Sequence, residues 1–186
     1  YDPESKKARS WPNDVVAKDV SIGRLAADDR YVYGITSNNF NGLRGRSKAL
    51  IFFVFDPKEE KVVYQEALPG EQTRPTVIHV PGTGHVWLVD ERGWHLFDRV
   101  SLKFAQRLDW PAEVADPTKI TSYDVQADRV WLVARRNVVR LDDGDAPKVI
   151  SLFAVDRGAQ GIAAGKDGQL YFTQQNEVWS VDLEAR

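Results

Sequence analysis

The most informative local feature of the sequence is the insertion at residues 38–48, whose amides Asn38, Asn39 and Asn41 are followed by the cations Arg44, Arg46 and Lys48, a set able to bind a ligand. Cations so spaced on one protruding loop attract a polyanion, and the amides add directional hydrogen bonds. An acidic polysaccharide is the ligand class that fits. Arg74, on a loop expected at the same face, joins this set. Other loops there carry Arg92, Lys119, Arg135, Arg136 and Arg157, but also Glu71, Asp90, Glu91, Asp116 and Asp156. Such mixed signs describe an ordinary charged surface, and a solvated connection is the plainer role for the loop itself.

The remaining chemistry-bearing residues read mostly as structure. His79, His85 and His95 show no spacing of metal ligands, so packing or turn roles are expected. His79 differs in falling within an innermost strand, where it and Tyr123, the matching residue one unit on, would form a polar channel wall. The run Asp142-Asp143-Gly144-Asp145 lacks the long loop and distant glutamate of a calcium site and reads as a hairpin turn. Gly165-Lys166-Asp167-Gly168 lacks the Lys-Ser/Thr of a phosphate loop and is also a turn. There is no Gly-x-Ser-x-Gly elbow, and without cysteine there is no thiolate ligand or nucleophile. No metal, cofactor or catalytic residue is assigned.

What positions these residues is a repeat. Tyr31-Val32-Tyr33, Val86-Trp87, Val130-Trp131 and Leu170-Tyr171 each follow a turn, and each precedes a second apolar strand ending in aspartate: Asp56, Asp98, Asp142 and Asp182. From aromatic to aspartate is 11 positions in the last three units and 23 in the first, which carries the insertion. The aspartates recur 42, 44 and 40 positions apart, the length of a propeller blade. The expected fold is therefore all-β: a β-propeller of about four four-stranded antiparallel blades, with 15 or 16 strands and almost no helix. Repeat units run over 1–56, 57–98, 99–142 and 143–182. In the second unit, strands are expected at 76–80, 86–90, 94–98 and 102–108, separated by Gly- and Pro-rich breakers. Tyr33, Trp87, Trp131 and Tyr171 are expected at equivalent buried positions between sheets, each contributing about 2–3 kcal/mol by area.

Composition agrees with a globular chain, with 42% hydrophobic and 11% aromatic residues. A net charge of −2 gives no sign of nucleic-acid binding. The longest apolar run, residues 49–55, is strand-sized, so no membrane span is expected. Tyr1-Asp2-Pro3 reads like Phe55-Asp56-Pro57, so the chain starts at the phase where it ends. That phase is expected of part of a larger ring, partnered by the remaining blades of the same protein or by a self-associated copy. The rival is a small ring closed by pairing residues 5–10 with 177–181.

Val32-Tyr33-Gly34-Ile35-Thr36-Ser37, a loop, then residues 49–57 and Lys61-Val62-Val63-Tyr64 resemble blades of bacterial quinoprotein-like β-propellers. The resemblance is close over residues 22–68 and looser elsewhere, and Ile35 stands where a second glycine is usual. It implies a ring of seven or eight blades and an extracellular or cell-surface location. It brings no catalytic residue, since no cofactor-ligand motif of a catalytic quinoprotein is present. Two functions follow: a non-catalytic binding or scaffold module for a carbohydrate or protein, which is favoured, or part of a polysaccharide-degrading lyase or hydrolase.

Overall fold

The structure is a computed structural model that describes residues 8–12, 15–18, 20–37, 39–40, 43–44, 50–68, 75–114, 117, 119–155 and 158–183. The chain forms two compact units, Tyr1–Glu71 and Gln72–Arg186. The first holds one sheet, with strands β1 (Ser21–Ala27), β2 (Val32–Ser37), β5 (Leu50–Asp56) and β6 (Lys61–Leu68) in that order. Between β2 and β5, a separate ladder pairs β3 (Asn39–Phe40) with β4 (Leu43–Arg44).

The second unit holds three sheets. One runs β7 (Thr76–Val80), β8 (His85–Asp90), β9 (Gly93–Asp98), β10 (Lys103–Leu108). The next runs β11 (Ile120–Gln126), β12 (Arg129–Ala134), β13 (Asn137–Asp142), β14 (Lys148–Ala154), and the last β15 (Gly161–Ala164), β16 (Gln169–Gln174), β17 (Glu177–Asp182). Every pairing is antiparallel between neighbours along the chain. All-β blades are what the repeat requires, and the expected strands of the second unit agree with those found to within a residue at each end.

Each repeat element has a visible job. Asp56 and Asp98 turn the chain after a third strand: their carboxylates accept from Lys58 N at 2.9 Å and from Val100 N at 2.8 Å. The aromatic of one sheet packs against the aliphatic face of the next. Trp87, with Ile78, Val89 and Trp94, meets Val130, Leu132, Val139 and Leu141. Trp131, with Val133 and Val138, meets Leu170 and Phe172. First strands are stitched as well: Thr121 Oγ1 donates to the Ala159 carbonyl at 3.0 Å, and Asp124 accepts from Ala164 N at 2.7 Å. In the first unit Phe53 and Phe55 gather Val16, Val32, Val62 and Trp11, the Trp11 and Phe55 ring centroids lying 5.2 Å apart.

One expectation needs correction. Tyr33, Trp87 and Trp131 are buried, but Tyr171 is 37% exposed, because among the described residues no sheet follows to cover its face. Among the described residues the last sheet has three strands where the others have four, so the four sheets hold fifteen, within the expected 15 or 16, and β3–β4 add a pair outside them.

Candidate functional site

The second and third sheets meet at their turns. Pro81-Gly82-Thr83-Gly84 closes the β7–β8 hairpin, with Gly84 N donating to the Val80 carbonyl at 2.8 Å. Gly82 N donates to Ala127 O at 3.0 Å, which presses this turn onto the β11–β12 turn of the next sheet. Only glycine allows that approach, since a Cβ at Gly82 would stand 2.5 Å from the Ala127 carbonyl carbon.

This contact brings His85, at the start of β8, to Asp143, just after β13. His85 Nδ1 lies 2.8 Å from Asp143 Oδ1, and Thr83 Oγ1 donates to Asp143 Oδ2 at 2.6 Å. Asp143 N in turn donates to the Asp128 carbonyl at 2.7 Å. The Asp143 side chain is fully buried, while 37% of the His85 side chain is exposed. An ionised carboxylate only accepts, so the proton of this bond sits on Nδ1, and in the neutral imidazole Nε2 keeps its lone pair. A ring held by one edge, with its other edge basic, can accept a hydrogen bond or a proton.

Two grooves flank that ring, and Thr83, His85 and Leu96 line both. The larger, about 520 Å³, is completed by Gln106, Gly144, Asp145 and Pro147 among others. The smaller, about 320 Å³, reaches Asp98, Arg99 and Val100.

At the other end of the second sheet Asp90 forms a saturated corner. Its carboxylate takes Arg92 N at 2.8 Å, Arg92 Nη2 at 2.6 Å and His95 Nε2 at 3.1 Å. Its carbonyl accepts from Trp110 Nε1 at 2.8 Å. Burial pushes the Asp90 carboxyl up, but the hydrogen bonds from His95 and Arg92 outweigh it and hold the group down at about 2. With its lone pairs taken, this cluster braces a turn.

The residues singled out in the sequence are placed as follows. Asn38, Asn41, Arg46, Lys48 and Arg74 lie outside the described residues. Asn39 and Arg44 stand opposite each other across the β3–β4 ladder. His79 and Tyr123 are on first strands and half-buried, Tyr123 against the core shared with the second sheet. They are not equivalent, however: His79 pairs with Val86 and Tyr123 with Leu132, so the residue in the place of His79 is Val125, opposite Val130. The longer β7–β8 turn displaces the count. His85 and Asp143 read singly as turn residues, and their only sequence signal is a second acid directly after the repeat aspartate Asp142.

No family model matches the chain, and no curated protein matches it. Solved structures do. The computationally designed Ika4 protein aligns with TM-score 0.61 and 11% identity, over 88% of this chain and 91% of that one. Virginiamycin B lyase from Staphylococcus aureus, solved as an inactive H270A form with quinupristin, aligns with TM-score 0.59 and 12% identity, over 90% of this chain and 57% of the lyase. The Dos1 propeller gives TM-score 0.58 at 10% identity, over 87% of this chain and 41% of that one. The fold is that of a partial β-propeller. At these identities the likeness reaches no further than fold, and the chain spans 57% of the lyase and less of Dos1. Propellers of this kind include a lyase and a putative gluconolactonase, so fold alone selects no activity.

Proposed function

We propose that this chain is a non-catalytic binding module of a β-propeller protein, and that it presents the grooves beside His85 to an extended segment of a protein ligand. The observation that carries this is the sharing of Thr83, His85 and Leu96 by both grooves, which gives a strand-like ligand one path past a fixed imidazole. Thr83, Gln106 and His85 offer hydrogen bonds to a peptide backbone, and Leu96, Pro147 and Val100 offer apolar contact. The charged lining residues are Asp145 in one groove and Asp98 and Arg99 in the other, with no cationic excess to favour a polyanion. Peptides selected from a displayed random library should bind the wild-type chain in calorimetry. Val100→Asp and His85→Ala should each weaken them about tenfold or more, the loss of one good anchor. Selected peptides that bind both variants as well as wild type would refute the site.

The His85–Asp143 pair supports a second reading, part of a lyase or hydrolase. A histidine oriented by a buried carboxylate is the arrangement of a general base. An ultraviolet assay for unsaturated products on acidic polysaccharides tests it. Turnover abolished by His85→Gln would favour this reading over the first.

A further inference from the structure

Asp143 decides what its two neighbours can offer to the grooves. It is fully buried, and Thr83 Oγ1 and His85 Nδ1 both turn their protons onto it, at 2.6 and 2.8 Å. The hydroxyl and the neutral ring then have no proton to give outward. His85 Nε2 only accepts, and so does Thr83 Oγ1, which already takes His85 N at 3.3 Å. The backbone of the same turn is spent as well. Pro81 has no N–H, Gly82 N donates to Ala127 O, and Thr83 N and Gly84 N donate to Val80 O. The wall shared by the two grooves therefore has one hydrogen-bonding sense, and a ligand group that meets it must donate.

Charge separates the two grooves. In the smaller one, Asp98 is engaged by its own turn, accepting from Val100 N at 2.8 Å and from Ser101 Oγ at 2.6 Å, and Arg99 lines the groove with it. In the larger one, Asp145 is the ionised side chain of the lining. It is exposed and, among the described residues, has no hydrogen bond or ion pair. A Cβ at the adjacent Gly144 would meet nothing within 4 Å, so the way to this carboxylate is open. Gln106, beside the bulge that shifts β10 against β9, is an amide and can present its oxygen here. The larger groove thus joins a set of acceptors to a negative charge that no cation of its lining balances.

We infer, building on the peptide-binding reading of this site, that the larger groove takes a cationic side chain of the ligand, arginine or lysine, which donates to His85 Nε2 and pairs with Asp145. Among side chains, arginine and lysine carry several donors, no acceptor and a positive charge together. A glutamate or aspartate in the same place would set acceptors against acceptors and like charge against Asp145, so the groove selects against acidic segments as well as for basic ones.

Peptides selected from a random library on the wild-type chain, and shown by His85→Ala to occupy the grooves, should share an arginine or lysine at one position. Citrulline or acetyl-lysine there keeps the stem but exchanges the charge for a carbonyl acceptor, and should weaken binding about tenfold or more in calorimetry. Asp145→Asn should weaken the cationic peptide about threefold or more and leave the citrulline or acetyl-lysine peptide unchanged. Asp145 is exposed, so the thermal melt of this variant should match wild type. Groove-bound peptides with no shared cation, or with binding indifferent to the neutral replacement, overturn the inference and leave the peptide-binding reading standing. A neutral replacement that costs as much in Asp145→Asn as in wild type also overturns it, since the cation is then held elsewhere. A library that yields no groove-bound peptide overturns both.

Discussion

His85 Nδ1 and the buried Asp143 Oδ1, fifty-eight residues apart in sequence, meet at 2.8 Å and tie the second sheet to the third. Removing the carboxylate takes the acceptor from both His85 and Thr83. Asp143→Ala should therefore destabilise the chain by about 1–3 kcal/mol in urea melts. His85→Ala should cost less, because its side chain is partly in water. The double variant should fall short of the sum by at least about 0.5 kcal/mol, the mark of direct coupling.

Gly82 sets the distance over which that pair can form. A methyl group there would collide with backbone, not with a flexible side chain, so the turn must withdraw from Ala127. Gly82→Ala should destabilise by about 1–3 kcal/mol. It should also break the His85–Asp143 bond, read in NMR spectra as loss of the hydrogen-bonded Nδ1 proton signal expected of the wild type, which a loss of stability alone would not do. Retention of that proton would show that the turn relaxes in place.

Asp90 gives the chain an acid-sensitive corner. Its carboxyl is held at about 2 when folded against 3.8 for the free side chain, so between those values the unfolded state binds more protons. The sign follows: the contribution is full above about pH 4 and is lost as pH falls through about 2. The size is about 2 kcal/mol. Urea melts between pH 5 and pH 2 should show this decline, and Asp90→Asn should flatten that part of the profile. An equal slope in the variant would assign the decline to other carboxylates.

The repeat made most of the fold legible, because each interval from aromatic to aspartate is one hairpin and a hairpin is local. The strands of the second sheet could be placed to within a residue for this reason. Equivalence across sheets was harder to read. Tyr123 sits 44 positions after His79, yet the turn before β8 is two residues longer than the turn before β12, so Val125 takes the matching place. The His85–Asp143 pair was beyond the sequence altogether, since it depends on which turns touch between sheets. The burial of Tyr171 was misjudged for a related reason: the repeat assigns a residue to a face but does not say whether another sheet covers it.

That difference in cover separates the four repeat aromatics energetically. Trp87 and Trp131 are buried between sheets, and truncating either opens a large cavity. Trp87→Ala and Trp131→Ala should each cost about 3–5 kcal/mol. Among the described residues neither indole Nε1–H has a hydrogen-bond partner, so Trp→Phe at these sites gives up volume but no such bond and should cost distinctly less than Trp→Ala. Tyr171→Ala in the monomer should cost about 1 kcal/mol or less, since the ring is partly in water and its bond to Asp167 is exposed. Denaturant melts at low protein concentration give all of these values. A Tyr171→Ala cost as large as that of Trp131→Ala would mean that a further layer already covers the last sheet.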